Sequence, residues 1–181
     1  MDKHVLFKTR HGSHLYGLNH ADSDEDFYTV LDKVPNKRPK YAKQKVYADG
    51  TDSMTVDFGT WLNMCVDGVP QALEAMFAFG DVVQHDELGD FRAGFYVSTG
   101  ASARYLRTIR SFCYTQDPKR KRHGLRLALN MYDFTRAGRF NPTLTPNEAA
   151  YVTLHAKKDS DAVYAMAMTI ALDRLPPGMV R

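Results

Sequence analysis

Residues 12–27 read GSHLYGLNHADSDEDF, and this stretch joins two predicted strands of the 181-residue chain. The first strand is predicted at residues 5–8, which read VLFK, and Gly12 permits a tight turn after it. The second is predicted at residues 26–31, after a polar loop. A glycine-bearing turn and an acidic loop therefore connect the first two strands of a sheet.

Two carboxylates stand at the head of the second strand. Asp24 and Asp26 are two residues apart, so their side chains leave the same face of the strand. Two carboxylates on one face can share magnesium. Gly12 and Ser13, in the turn, can bring backbone N–H groups and a hydroxyl close to phosphate oxygens. The pattern indicates a site for a metal-bound phosphate compound.

The next elements are a hairpin and two helices. Strand-forming residues flank Asp49-Gly50, which predicts a hairpin that returns a third strand to the sheet. Apolar residues recur at helical spacing over residues 58–66, and Asp57 stands where an N-cap belongs. A short second helix is predicted at residues 71–77.

From about residue 90 onward the pattern is mostly helical. Asp117 and Pro118 supply an N-cap and a proline at the first helical position, and Gly138 ends that helix. One or two further helices are predicted over residues 146–175.

These elements predict an α+β fold, with a mixed sheet and flanking helices followed by a C-terminal helical bundle. We expect residues 1–89 to form the sheet-containing core and residues 90–181 to form a helical domain.

Composition sets broad limits. The chain is 44% hydrophobic with a net charge of +3, so it can bury a core, and the charge alone does not indicate a nucleic-acid binder. No apolar stretch is long enough to span a membrane and the N-terminus lacks a signal peptide, which predicts a cytoplasmic protein. Cys65 and Cys113 are expected to be reduced core thiols. Basic residues cluster at residues 33–45 and 119–122.

The second basic cluster begins a helix with a distinct face. Lys119, His123 and Arg126 stand at positions i, i+4 and i+7, which share one helical face. Three donors in a line suit a triphosphate, because positive charge stabilises the leaving pyrophosphate and the reacting phosphate. The alternative is a solvated basic surface.

An apolar strand, Gly-Ser, a spacer and Asp-x-Asp match the signature of the DNA polymerase β-like nucleotidyltransferases. The longer string Gly-Ser-x-x-Tyr-Gly…Ser-Asp-x-Asp resembles the polymerase β-like family associated with RNA repair operons, which has bacteriophage relatives. The segments at 57–62 and 67–77 and the helix from Lys119 to Arg126 are also similar to that family. One departure is Val69, which stands where asparagine is usual.

The resemblance implies a metal site with a third carboxylate from the next strand. Asp52 is the better match to the family pattern and is our choice. Strand alternation argues for Asp57, because Asp52 shares parity with the core positions Met54 and Val56. The N-cap role is a sufficient structural reason for Asp57, which we keep as the rival.

The resemblance implies that residues 1–89 form a nucleotidyltransferase-type catalytic core and that the helical domain at residues 90–181 completes the nucleotide site. It predicts a magnesium-dependent enzyme that transfers a nucleotidyl group from a nucleoside triphosphate and releases pyrophosphate. Two Mg²⁺ ions, or Mn²⁺ in their place, are expected on Asp24, Asp26 and Asp52, with the β- and γ-phosphates at Gly12 and Ser13. The acceptor is an RNA or tRNA end, a protein hydroxyl or a small molecule. Two other classes stay open, namely a catalytically inactive nucleotide-binding regulatory module and a metal-dependent nuclease.

Overall fold

The computed structural model describes residues 4–33, 43–46 and 52–179, with no side-chain description for residues 43–46 and 52. The strands in these ranges are β1 (Val5–His11), β2 (Asp26–Leu31), β3 (Lys43–Val46), β4 (Asp52–Asp57) and β5 (Val83–Asp86). The helices are α1 (Gly12–Tyr16), α2 (Phe58–Val66), α3 (Pro70–Met76), α4 (Gly89–Ala93), α5 (Ala101–Cys113), α6 (Pro118–Ala137), α7 (Pro146–His155) and α8 (Ser160–Leu172).

The five strands form one mixed sheet in the order β3-β4-β2-β1-β5. The β2 and β4 strands are parallel, and every other neighbouring pair is antiparallel. The described structure is therefore mixed α/β, with the sheet in the N-terminal half and most of the helical residues in the C-terminal half. The antiparallel β3–β4 pair confirms the predicted hairpin, whose turn residues Asp49 and Gly50 lie outside the described ranges.

The strand register places three chain segments at one edge of the sheet. His11, the last residue of β1, pairs with Asp26, the first residue of β2. Phe27 is level with Ser53 in the parallel pair, so the starts of β2 and β4 lie side by side. Asp57 is level with Leu31 and so lies at the opposite edge.

One face of the sheet is covered by helices, and the other is partly exposed. Phe7 and Tyr28 are fully buried on the covered face, and the Trp61 ring of α2 stacks on Phe7 with 5.8 Å between ring centroids. On the other face the Lys8 amine lies 4.4 Å from the centroid of the Phe27 ring. This one-sided burial explains the alternation of apolar and polar residues in the first two strands.

Helix α6 is the centre of the helical half and packs against α5, α7 and α8. As predicted, the Asp117 side chain accepts a hydrogen bond at its N-terminus, and Gly138 ends it in a left-handed conformation. Gly124 lies where α6 meets α5, and a Cβ atom there would come within 2.7 Å of Cys113 Sγ. The close approach of α5 and α6 therefore depends on this glycine.

A single cluster of buried side chains runs through both halves of the chain. It includes Phe7 and Trp61 from the first half and Tyr105 and Leu125 from the second. The proposed boundary at residue 89 stays a prediction. As expected, Cys65 and Cys113 are buried free thiols.

Strand β5 is an element of the sheet that the sequence analysis does not predict. The reason is that Val83-Gln84-His85-Asp86 is short and lacks the apolar alternation of a strand.

Within the described ranges, no helix is long and apolar enough to cross a membrane. Most of the basic cluster at residues 33–45 lies outside those ranges.

Candidate functional site

A cavity of about 650 Å³ opens at the sheet edge where β1 ends and β2 begins. Its walls come from the α1 and β2 region on one side and from α3, α5 and α6 on the other. It brings together seven of the residues predicted from the sequence, namely Gly12, Ser13, Asp24, Asp26, Lys119, His123 and Arg126. These residues come from segments more than 90 positions apart in the chain.

Gly12 and Asp26 are in close contact in the lining of this cavity. Gly12 has a φ of +60°, in the left-handed region that favours glycine. A Cβ atom at this position would collide with Oδ2 of Asp26 and lie 3.3 Å from its Cγ. The absent side chain therefore lets the Asp26 carboxylate pack against the first turn of α1. The sequence predicted a turn here, and the structure shows that the turn continues into a short helix.

The acidic loop before β2 is held by local hydrogen bonds. The Ser23 hydroxyl accepts a hydrogen bond from the His20 amide at 2.9 Å, and the Ser23 carbonyl accepts one from His14 Nε2 at 3.4 Å. Asp24, the next residue, is exposed and lines the cavity together with Asp22. The loop therefore presents a second carboxylate near Asp26 without burying it.

The two candidates for the third carboxylate occupy opposite edges of the sheet. The backbone of Asp52 begins β4, one residue before Ser53, beside the start of β2. Asp57 caps α2, and its carboxylate accepts hydrogen bonds from the Thr60 amide at 3.0 Å and the Thr60 hydroxyl at 2.7 Å. Burial opposes ionisation of Asp57, but these bonds outweigh it and lower its pKa. Asp57 is therefore a helix cap, as predicted, and does not line the cavity.

A buried network forms the floor of the cavity. Glu74 of α3 is completely buried; its Oε1 accepts a hydrogen bond from Arg126 Nη1 at 2.7 Å, and its Oε2 accepts one from the Tyr16 hydroxyl at 2.6 Å. The Arg126 guanidinium carbon lies 3.6 Å from the centroid of the Tyr16 ring. The same Tyr16 hydroxyl lies 3.3 Å from Nε2 of His11, which pairs across the strands with Asp26. The network thus links α3 and α6 to the sheet edge beside Asp24 and Asp26, which we call the acidic edge.

The charges in this network stabilise one another. Burial alone would lower the pKa of Arg126, but the neighbouring Glu74 carboxylate more than offsets it, and the pKa is raised. Burial raises the pKa of the Tyr16 hydroxyl well above its usual value, and Glu74 raises it further. Arg126 is thus a permanent cation neutralised by Glu74.

Helix α6 supplies three residues of the opposite wall, in different environments. Lys119 is exposed at the start of the helix. Burial is the main cause that lowers the pKa of His123 to about 3, and the charges of Arg126, Arg122 and Lys119 add to the effect. His123 is therefore a neutral imidazole at physiological pH. Lys119, His123 and Arg126 therefore share one side of α6, as predicted. Of these three residues, Lys119 alone is an exposed cation.

Glu74, Tyr16 and the α5 wall are the parts of the site that the sequence analysis did not assign to it. A signal for Glu74 existed, because a lone acid among the apolar residues Ala72, Leu73 and Ala75 implies a buried partner.

Lys121 also differs from its neighbours in the basic cluster. It is buried, and its Nζ donates a hydrogen bond to the Lys158 carbonyl at 2.7 Å.

The donor set at the sheet edge suits a hard cation. Asp24 and Asp26 offer carboxylate oxygens, which Mg²⁺ prefers. The part of the chain that the structure describes contains no group of three or more His, Cys, Asp or Glu side chains arranged for a metal ion. The side chain of Asp52, the expected third ligand, lies outside that part.

Comparisons with protein-family models, curated proteins and solved structures found no match to this chain.

Proposed function

We propose that this chain is a magnesium-dependent nucleotidyltransferase that moves a nucleotidyl group from a nucleoside triphosphate to an acceptor hydroxyl. The observation that carries the proposal is the cavity, in which the Gly12-Ser13 turn, the acids Asp24 and Asp26 and the basic start of α6 meet. Acidic groups on one wall and a cation on the other suit a metal-bound triphosphate between them.

Asp24 and Asp26, with Asp52 at the adjoining strand start, would hold the magnesium. The close packing of Asp26 against Gly12 supports this role, because it holds one carboxylate beside the turn that would carry phosphate. When bound, magnesium would neutralise phosphate charge and lower the pKa of the attacking hydroxyl.

The chain's own residues would bind and orient the reactants. The Ser13 hydroxyl would donate to a phosphate oxygen, and Lys119 would contact the leaving pyrophosphate from the opposite wall. The acceptor oxygen bonds to the α-phosphorus while the bond from that phosphorus to the oxygen of pyrophosphate breaks. The hydroxyl proton passes to a carboxylate of the acidic edge, for which Asp52 is our candidate.

The role of Arg126 changes from the one that its helical position suggested. Its guanidinium is buried and its charge is neutralised by Glu74, so it holds the cavity floor in place and supplies little net charge to a phosphate. The neutral imidazole of His123 serves as a hydrogen-bonding group on the same wall.

The test is incubation of the protein with each of the four α-labelled ribonucleoside triphosphates, magnesium and total RNA or protein. Label should appear on an acceptor, and Asp24→Asn or Asp26→Asn should reduce transfer by about 100-fold or more. Asp22→Asn is the matched control, because Asp22 lines the same cavity from the loop and should keep transfer.

Each competing class has its own outcome. Triphosphate binding without transfer would identify a catalytically inactive nucleotide-binding module. Metal-dependent RNA cleavage without added triphosphate would identify a nuclease. Transfer that persists in both the Asp24 and Asp26 variants would overturn the assignment of the acidic edge.

A further inference from the structure

Helix α5 carries a row of arginines on its exposed side. Arg104, Arg107 and Arg110 are three residues apart, and Tyr114 follows the helix. We define these four residues as the α5 basic face. Arg107, Arg110 and Tyr114 are exposed, and Arg104 is half-buried. The buried side of the same helix, which includes Tyr105 and Ile109, packs into the core.

A shallow groove of about 390 Å³ lies on this face. It is lined by Arg107, Arg110, Ser111 and Tyr114. The Arg110 guanidinium carbon lies 5.9 Å from the centroid of the Tyr114 ring, and the Tyr164 ring of α8 lies 5.2 Å from the same ring. The groove thus combines two cations, a hydroxyl and an aromatic ring that is 48% exposed.

The charge of the α5 basic face is largely uncompensated. Within the described residues, Arg104, Arg107 and Arg110 form no ion pair with a carboxylate. Asp161 contacts the Tyr114 hydroxyl, and this hydrogen bond is the main cause that raises the pKa of Tyr114. One carboxylate against three arginines leaves the face positive, which complements a polyanion.

The groove and the site cavity lie on neighbouring sides of one helix. Thr108 and Phe112 line the cavity. At about 100° per residue, Arg104 falls between that side and the groove, next to the groove residue Ser111. The Arg120 guanidinium carbon, at the start of α6, lies 5.6 Å from the centroid of the Phe112 ring. Arg104 and Arg120 therefore add positive charge on the parts of the surface that lie next to the cavity lining.

We infer that the α5 basic face binds a single-stranded nucleic acid whose end enters the cavity as the acceptor. The inference rests on the proposed nucleotidyl transfer and narrows its acceptor to a polynucleotide. A phosphate backbone matches the row of arginines, and the exposed ring of Tyr114 offers a base a stacking surface. An acidic protein would match the charge but would gain nothing specific from the exposed ring.

The test measures binding of the full chain to fluorescent 20-nucleotide RNA and DNA single strands by anisotropy, over a series of salt concentrations. Arg107→Ala with Arg110→Ala should weaken binding by about tenfold and reduce the log–log salt slope by about 1.4, because two phosphate contacts are lost. Tyr114→Ala should weaken binding at least about fivefold, whereas Tyr114→Phe, which keeps the ring, should not.

The matched control is Arg136→Ala with Arg174→Ala. It removes one exposed arginine at the C-terminal end of α6 and one just after α8, and it should leave binding unchanged. A 20-residue polyglutamate peptide should compete poorly. Equal affinity of the Arg107/Arg110 variant and the wild type would overturn the inference, and so would equal competition by polyglutamate.

The binding assay and the transfer assay test this inference and the proposed function separately. If wild-type protein binds the strands through the α5 basic face but transfers no label, the proposed activity is wrong and the binding surface stands. If transfer occurs but neither strand depends on Arg107 and Arg110, the activity stands and this inference is wrong. The RNA and DNA arms show which strand is preferred.

Discussion

Glu74 and Arg126 form a buried ion pair, with Glu74 Oε1 and Arg126 Nη1 2.7 Å apart and the side chains 1% and 4% exposed. Tyr16 completes the arrangement, because its hydroxyl donates to the other Glu74 oxygen and its ring lies against the Arg126 guanidinium. The pair joins α3 to α6 beneath the cavity. Its loss would leave one uncompensated charge in the core.

We therefore expect Arg126→Ala to lower the free energy of unfolding by about 3–5 kcal/mol, the usual cost of breaking a buried pair. Arg120→Ala removes the same charge from an exposed position on the same helix and should change stability by less than about 0.5 kcal/mol. Urea unfolding of both variants makes the comparison.

A double variant checks the cause. Glu74→Gln with Arg126→Met removes both charges, so it should be more stable than Arg126→Ala alone. Equal stability of Arg126→Ala and Arg120→Ala would show that Arg126 is not part of a stabilising pair. The helix pattern alone suggested that Arg126 lies on an open basic face, and its burial makes a large stability effect the expected result.

Gly12 gives a second test, with Gly80 as a matched control. Gly12 has a φ of +60° and Gly80 has a φ of +70°. Both values lie in the left-handed region, so alanine at either position costs about 1–2 kcal/mol of backbone strain. Only Gly12→Ala also pushes its new methyl group into the Asp26 carboxylate, because nothing lies within 4 Å of a Cβ at Gly80. Gly12→Ala should thus lose Mn²⁺ binding and nucleotidyl transfer, and Gly80→Ala should keep both.

The measurements are melting temperature, Mn²⁺ binding by electron paramagnetic resonance and transfer of label. Similar losses of stability in the two variants would confirm the shared strain. Normal Mn²⁺ binding by Gly12→Ala would contradict the proposed role of the Gly12–Asp26 contact.

Asp57 should matter for stability and not for transfer. Asp57→Ala removes the cap of α2 and should cost about 1 kcal/mol near neutral pH. Because hydrogen bonds lower the pKa of Asp57 below its ordinary 3.8, this stabilisation exists above that pH and is lost as the pH falls through the folded-state pKa. The gap between variant and wild type in urea unfolding should thus narrow only in strong acid.

Asp67→Ala is the control, since Asp67 lies at the exposed C-terminal end of the same helix and caps no N-terminus. If Asp57→Ala kept full stability and lost transfer, the third metal ligand would be Asp57 in place of Asp52.

His123 should make stability depend on pH. Its pKa is about 3 in the folded chain against an ordinary 6.5, so between these values the unfolded chain binds more protons than the folded one. Stability should fall as the pH is lowered from 6.5, by up to about 1.4 kcal/mol per pH unit from this group. His123→Phe keeps an aromatic ring against Tyr16 and Phe112 and should remove this contribution.

Unfolding in urea at several pH values from 7 to 4 measures the difference between His123→Phe and wild type. A constant difference over that range would show that His123 is readily protonated in the folded chain.

The sequence predicts the local features of this chain well. The bounds of β2, the cap at Asp57 and the start of α6 at Asp117-Pro118 all agree with the structure. These features depend on neighbouring residues, through strand alternation, a capping carboxylate and a proline in the first turn. The gathering of Gly12, Asp26 and Lys119 around one cavity also follows the sequence-based expectation.

What depends on distant contacts was harder to predict. Helical spacing correctly placed Lys119, His123 and Arg126 on one side of α6, but it does not reveal which of them is covered by other elements. Arg126 is buried by its contacts with α1 and α3, whose packing cannot be deduced from the spacing in α6. The edge strand β5 was missed because its pairing with β1, and not its own composition, makes it a strand.

The absence of a side chain at Gly124 sets the distance between two walls of the cavity. Helix α5 contributes Thr108 and Phe112 to the cavity, and α6 contributes Lys119 and His123. The two helices are in contact at Gly124 and Cys113. The distance between the helices at this contact therefore limits the width of the space between them. An alanine at this position would push α5 and α6 apart, so we expect it to widen the space between Phe112 and His123 and to change which ligands the cavity admits.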